Sequence, residues 1–233
     1  MPFRAFAAVL ILLALAAGAP ARAGGPVVVE LYTSQGCSSC PPADALLTEL
    51  SERDDVIALA LHVDYWDYIG WADDFAQPAF TERQRRYAAA AGERTIYTPQ
   101  MVIGGRHHVI GAHVMKIAHA IEAAAHAPQP VDVVLHRDGG RVRIDVQGGE
   151  GTPEDSALFL VTWDPEATRD IGRGENAGKR LVYSNIVRSW TRIGSVGPGA
   201  TMALAEDVPA DTPIAVIAQA PGAGPILGAA KLD

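Results

Sequence analysis

The spacing of apolar residues changes period near residue 128 and divides the chain into two stretches of different character. Val27 to Tyr32 is an apolar, β-branched run interrupted only by Glu30, the pattern of a strand covered on both faces. Pro41 to Arg53 sets Ala43, Leu46, Leu47 and Leu50 at i, i+3, i+4 and i+7, one face of a helix. Val56 to Val63 is a second buried strand. Strand, helix and strand in this order imply parallel pairing through a right-handed crossover. Thr81 to Ala91 follows as a helix, with Arg83, Arg85 and Arg86 expected mostly in solvent. Short apolar runs on either side of Gly104-Gly105 predict a hairpin. Gly111 to Ala127 ends the stretch as a helix striped by Val114, Ile117, Ala118 and Ile121. The expected unit over residues 24–128 is βαβ, a helix, then ββα.

Pro128-Gln129-Pro130 reads as a linker, and beyond it the period becomes two. Val131, Val133 and Leu135 alternate with polar residues, Asp138-Gly139-Gly140 turns the chain, and Val142, Ile144 and Val146 share one face. Further strand-like runs cover 157–163, 180–193, 213–219 and 226–232, separated by Gly- and Pro-rich turns. No helical stripe follows residue 127. The expectation for 131–233 is a separate, small antiparallel β-sandwich.

The chain's two cysteines both fall where the first strand meets the first helix, in Gln35-Gly36-Cys37-Ser38-Ser39-Cys40-Pro41-Pro42. Cys-x-x-Cys at a helix N-terminus is a redox arrangement, because unpaired backbone N–H groups and the helix dipole favour thiolate over thiol. Cys37 is the expected nucleophile. Cys40, one turn on, is the expected resolving thiol that attacks a mixed disulfide. A purely structural disulfide closing so short a loop removes little unfolded-state entropy. A zinc site ordinarily needs four ligands, and no second Cys-x-x-Cys exists. Pro41 and Pro42 remove two N–H donors from the first turn and disfavour helical geometry at Cys40, so Ser38 and Ser39 are the candidate hydroxyl donors to the sulfur.

Residues 1–23 have the form of a secretory signal. Arg4 opens it, Ala7 to Ala17 is apolar throughout, and Ala21-Arg22-Ala23 fits a small-x-small cleavage site. The mature chain is then expected to be periplasmic or secreted, an oxidising setting with substrates for disulfide exchange, and without membrane insertion once the signal is removed. Loss of Arg4 and Arg22 leaves 17 basic against 27 acidic residues, which excludes nucleic acid as a natural partner. Hydrophobic content of 48% marks a folded chain.

Glu30-Leu31-Tyr32-Thr33-Ser34-Gln35-Gly36-Cys37-Ser38-Ser39-Cys40 resembles the strand and active-site lead-in of glutaredoxins. Thr98-Pro99-Gln100-Met101-Val102-Ile103-Gly104-Gly105 resembles the cis-proline loop and hairpin of the thioredoxin superfamily. Nearly the whole mature chain is similar to exported bacterial thioredoxin-like proteins grouped as domain of unknown function 1223. The resemblance rests on Cys37 to Asp44, His62-Val63-Asp64-Tyr65-Trp66-Asp67-Tyr68, Tyr97 to Met101, and Gly174-Glu175-Asn176-Ala177-Gly178. It implies a thioredoxin-like α/β domain followed by the β-rich domain. It also implies substrate-binding roles for Thr98 and Pro99, whose cis X-Pro bond costs little. The expected substrate is a protein or peptide thiol or disulfide, with a separate redox partner and neither cofactor nor metal.

Residues 64–80 read as an insertion. With Tyr87, the stretch holds Tyr65, Trp66, Tyr68, Trp71, Phe75 and Phe80, seven of the fifteen aromatics. It is expected to close a core or to form an aromatic rim beside Cys37. Glu30 is a candidate proton shuttle if buried near the thiols. Cys37 and Cys40 with a nearby histidine, from His62, His107, His108 or His113, would be the ligands of a copper(I) alternative. Glu175 and Asn176 fit a turn or a contact between the two halves. Three classes therefore stay open: a thiol–disulfide oxidoreductase acting through Cys37 and Cys40, a copper-handling protein, and a redox-inactive binding module.

Overall fold

The structure, a computed structural model, describes residues 24–233; the expected signal segment lies outside the described residues. It is a mixed α/β arrangement of one large mixed sheet and one small antiparallel sheet. Strand β1 (Val27–Thr33) is buried at every position and pairs in parallel with β2 (Val56–His62). The crossover is α1 (Pro41–Ser51), which begins with prolines at its first two positions, where missing N–H groups cost nothing. Helix α2 (Pro78–Ala90) starts three residues earlier than its apolar pattern suggests, again at a proline. Strands β3 (Gln100–Ile103) and β4 (His107–Ile110) form the hairpin, with β3 antiparallel to β1. Gly104 and Gly105 both take positive φ, 60° and 66°, so the tight turn suits glycine. Helix α3 (Val114–Ala125) ends the first half.

The second half does not form a separate unit. Its strands are β5 (Val131–Asp138), β6 (Arg141–Gly148), β7 (Ser156–Asp170), β8 (Arg180–Val196), β9 (Thr201–Asp207), β10 (Ile214–Gln219) and β11 (Ile226–Leu232). Only β5, β6 and β9 make the small sheet. The other four extend the α/β sheet, in the order β11-β10-β7-β8-β2-β1-β3-β4. The expected boundary at 128–130 is therefore not a sheet boundary. Alternating periodicity fixes which face of a strand is apolar but not which edge it pairs with, and β8 covers the edge of β2 that would otherwise lie open. A sandwich does exist, with one layer borrowed. Val142, Ile144 and Val146 of the small sheet pack on Leu158, Leu160, Ile214 and Val216 of the large one. Strand β9, absent from the sequence reading, alternates Met202 and Leu204 with smaller or polar residues.

Two further cores flank the large sheet. Val27, Val29 and Leu31 pack with Leu47 of α1 and Ile117 and Ile121 of α3. Val28 and Tyr32 face the opposite way, with Phe80 and Tyr87 of α2 and with Val161, Trp163 and Ile217 of the second half. Among the described residues no helix is long and apolar enough to cross a membrane.

The join between β2 and β8 has one ladder pair, Ala60 with Ile186. Asn185 supplements it, donating its side-chain N–H to the Ala58 carbonyl at 2.9 Å from a left-handed backbone at φ 50°. The β7–β8 ladder skips Asn185 and the facing Pro165, which has no N–H to offer. Asn185→Gly keeps the backbone and loses the bond, and is expected to cost about 1 kcal/mol. Asn185→Ala adds a side chain disfavoured at positive φ and should cost about 1 kcal/mol more. Denaturant unfolding of both variants checks the order.

Candidate functional site

Cys37 and Cys40 form a disulfide where the β1 loop enters α1. Cys40 occupies the N-cap with helical φ −78° and ψ −35° despite the proline that follows. Its N–H donates to the Cys37 carbonyl at 3.2 Å, and this closed turn overrides the preference set by Pro41. With Pro41 and Pro42 lacking N–H groups, the first free helical donors are Ala43 and Asp44, and both donate to the Cys40 carbonyl. The helix terminus thus has no spare N–H to aim at sulfur. The Ser39 hydroxyl lies 3.4 Å from Cys37 Sγ and is the donor available to it. Both cysteines are fully buried, Cys37 included, although Ser38 and Ser39 between them are exposed.

The second half grips this loop. Gly172 to Lys179 connects the far ends of β7 and β8, and Asn176 in it is completely buried. Its Nδ2 donates to the carbonyls of Gln35 and Cys37, each at 2.9 Å, while its Oδ1 accepts from Lys179 Nζ at 2.8 Å. The neighbouring Glu175 carboxylate accepts from Ser38 Oγ at 2.6 Å and from the Ser38 N–H at 3.2 Å. These hydrogen bonds hold its carboxyl below the usual glutamate range. Both uses foreseen for Glu175 and Asn176 are observed: they lie in a turn, with the Lys179 N–H on the Asn176 carbonyl at 3.1 Å, and they join the two halves.

The aromatic insertion surrounds the other side. Trp66 packs its Cβ against Gly36, where even a methyl group would meet it at 3.1 Å. The Trp66 indole N–H reaches Thr98 Oγ1 at 2.8 Å. Trp71 donates to Gln35 Oε1 at 2.8 Å. Asp73 accepts the Gln35 N–H at 2.8 Å through the same oxygen that meets His62 Nδ1 at 2.7 Å. Tyr68 is 83% exposed, whereas Phe75, Phe80 and Tyr87 are buried in the cores. The insertion serves as both rim and core. The Thr98–Pro99 peptide is cis, and the chain before it is anchored by Gln84 Nε2, which donates to the Tyr97 carbonyl at 2.7 Å. Pro99 approaches α1 through Gly111, where an added Cβ would meet Ala43 at 2.8 Å and Pro99 at 3.0 Å.

A polar cluster lies along α1 behind the disulfide. Asp44, one turn after Cys40, accepts from Thr33 Oγ1 at 2.7 Å. Burial raises its carboxyl from 3.8 to about 7, against the opposing pull of Thr33 and His62. Asp44 also lines a cavity of about 340 Å³ with Pro41, Thr48 and Leu181. The sequence reading passed over Asp44. The signal was its place at i+4 from Cys40, on the same helix face.

Glu30, by contrast, is buried on the opposite side of β1 and is not a proton shuttle for the thiols. It receives Arg83 Nε at 2.6 Å and Nη2 at 2.8 Å, and the hydroxyls of Tyr87 at 2.7 Å and Tyr32 at 3.0 Å. Arg83, expected in solvent, is buried as its partner. The histidines do not gather on the sulfurs. His62 pairs with Asp73, and His108 faces Glu93 at 3.7 Å. Among the described residues no group of three His, Cys, Asp or Glu side chains is placed to hold a metal ion.

Residues 28–219 match the family model described as protein of unknown function (DUF1223). The chain belongs to the DUF1223 family. The X-ray crystal structure of protein AGR_C_4864 from Agrobacterium tumefaciens is 34% identical, with a TM-score of 0.76 over 90% of this chain and 94% of that one. HBP35 of Porphyromonas gingivalis is similar at 14% identity and a TM-score of 0.56, covering 90% of this chain and 75% of its own. That likeness is one of fold alone. Comparison with curated proteins finds no match. The DUF1223 match runs through both halves without a break, as does the large sheet.

Asp44 sets a pH dependence with a definite sign. Its folded-state value of about 7 lies above the unfolded 3.8. Its contribution to stability is therefore full below pH 4 and is lost as pH rises toward 7. Asp44→Asn keeps an acceptor for Thr33 and removes that loss, on the order of 4 kcal/mol at most. The variant should melt several degrees above the parent at pH 8 and level with it near pH 4, in thermal scans across that range.

Proposed function

We propose that this DUF1223 protein is an exported, thioredoxin-like thiol–disulfide oxidoreductase acting on protein or peptide thiols and disulfides. The observation that carries the reading is the Cys37–Cys40 disulfide at the start of α1. A structural cross-link has little to stabilise there, because only two residues separate the cysteines. The loop is already tied down by Asn176, Glu175 and Asp73. The family match adds breadth, since it includes the cysteines and Thr98–Pro99 within one unbroken span.

The exchange runs in two balanced steps. A substrate thiolate attacks Cys37 Sγ, the Cys37–Cys40 bond breaks, and the electron pair passes to Cys40 Sγ, which takes a proton. A second substrate thiolate then attacks the substrate sulfur of the mixed disulfide and releases Cys37 as thiolate, leaving an oxidised substrate and a reduced protein. The reverse sequence reduces a substrate disulfide. Asp44, with its raised pKa and its position one turn from Cys40, is suited to supply or accept the proton at the resolving sulfur. Thr98 presents backbone beside the pair for an extended peptide to hydrogen-bond, and Trp66 holds that segment in place. Both sulfurs are buried, so the segment about Trp66 and Thr98 is expected to part when substrate enters.

The test uses single-cysteine variants in a periplasmic extract. Cys40→Ser should accumulate mixed disulfides with partner proteins, and Cys37→Ser should not. Either variant should lose at least 100-fold of dithiothreitol-dependent insulin reduction, since both halves of the exchange pass through the pair. Full activity in the double variant, or trapping by Cys37→Ser alone, rejects the assignment.

A further inference from the structure

We propose that Glu175 is a potential-setting residue, a fixed negative charge on the redox loop that makes the Cys37–Cys40 pair more reducing. The inference rests on the oxidoreductase reading and deepens it. Its basis is geometric. The Glu175 carboxylate accepts both hydrogens that Ser38 offers, backbone and hydroxyl, at 3.2 and 2.6 Å. The Ser38 nitrogen is bonded directly to the Cys37 carbonyl carbon, so the carboxylate stands within a few ångströms of the backbone that bears Cys37. No ion pair neutralises Glu175 among the described residues. Of the two cations on the same loop, Lys179 donates to Asn176 Oδ1 instead, and Arg173 makes no ion pair with Glu175.

Two effects act in the same direction. Ser38 has no hydrogen left to offer Cys37, which leaves the Ser39 hydroxyl as the donor beside the sulfur. The carboxylate also repels charge arriving on that sulfur. Reduction of the pair at neutral pH with Cys37 as thiolate takes up two electrons and one proton, and so adds one negative charge to the loop. A neighbouring anion disfavours that product and lowers the potential. The charge is placed there by the second half of the chain: Asn176 locks the Glu175 backbone beside the loop by bonding the Gln35 and Cys37 carbonyls. The anion and the pair it acts on are 138 residues apart in sequence, counted from Cys37 to Glu175.

The experiment equilibrates full-length mature protein with glutathione redox buffers and reads the fraction reduced by thiol alkylation. Glu175→Gln keeps an oxygen that can accept from Ser38 and removes only the charge. It should shift the equilibrium toward the reduced pair roughly three- to tenfold at low salt, about 15–30 mV for a two-electron couple. Glu175→Lys should shift it further the same way. The difference between parent and Glu175→Gln should shrink as NaCl is raised to 1 M, because an exposed charge is screened. A merely structural role would give Glu175→Gln the parent's potential and a shift in Glu175→Lys indifferent to salt. Unchanged or lowered potential in Glu175→Gln overturns the proposal and leaves the oxidoreductase reading intact. A parent disulfide that no glutathione or dithiothreitol buffer reduces overturns both. The side chain is exposed and its hydrogen bonds among the described residues go to Ser38, so the variants should fold as the parent does, which circular dichroism checks.

Discussion

The join between β2 and β8 is the contact on which the remaining architecture depends. One ladder pair, supplemented by the Asn185 side chain, continues the α/β sheet into the second half. From that join the β7–β8 hairpin runs as two strands of 15 and 17 residues. Its far end therefore reaches back across α1 to the disulfide loop. A shorter hairpin, or one paired elsewhere, would leave the Gln35 carbonyl without its Asn176 donor and the Cys37 carbonyl with the Cys40 N–H alone. A buried carbonyl left unbonded is costly. The disulfide loop and the hairpin end are each completed by the other.

A second bond between the halves lies on the opposite side of the sheet. Arg83 and Glu30 are both buried, and such a pair holds only when its remaining hydrogen-bonding capacity is filled. Tyr32 and Tyr87 fill it from the first half. Gln219 of β10 fills it from the second, accepting from Arg83 at 3.2 Å and donating to the Tyr87 hydroxyl at 2.8 Å. Trp190 of β8 stacks under the guanidinium at 3.7 Å. The polar contacts that join the halves thus flank the sheet, one at the candidate site and one remote from it. Together with the shared apolar core they make independent motion of the halves unfavourable.

The site gathers its parts from four separated segments. The β1–α1 loop supplies the sulfurs, and the insertion after β2 supplies Trp66, Trp71 and Asp73. The turn before β3 supplies the cis peptide, and the hairpin end supplies Glu175 and Asn176. Polar groups hold the loop by hydrogen bonds, and Trp66 and Ile69 pack against it at Gly36. The one prominently exposed aromatic of the insertion, Tyr68, stands free of them at the edge.

Much of this was legible from the residues alone, and for a common reason. Strand β1, helix α1, the Gly104-Gly105 turn and the Cys-x-x-Cys pair depend on spacing within one or two turns of chain, which sequence records directly. Glu175 and Asn176 stood out only as members of a Gly-rich loop. Arg83 and Glu30 looked like a solvent-facing cation and a strand-end acid. Nothing within several residues of either shows the partner, because that partner lies 53 residues away. The periodicity of β7, β8, β10 and β11 fixed their apolar faces but not their edges, and the edge decides whether a strand closes its own sandwich or extends a neighbouring sheet. The sequence by itself determined the elements and the place of the cysteine pair at the start of α1. Only the tertiary structure decided which edges met, and through them which charge came to rest on the loop between the two sulfurs, because long-range pairing is set by the summed packing of the whole chain.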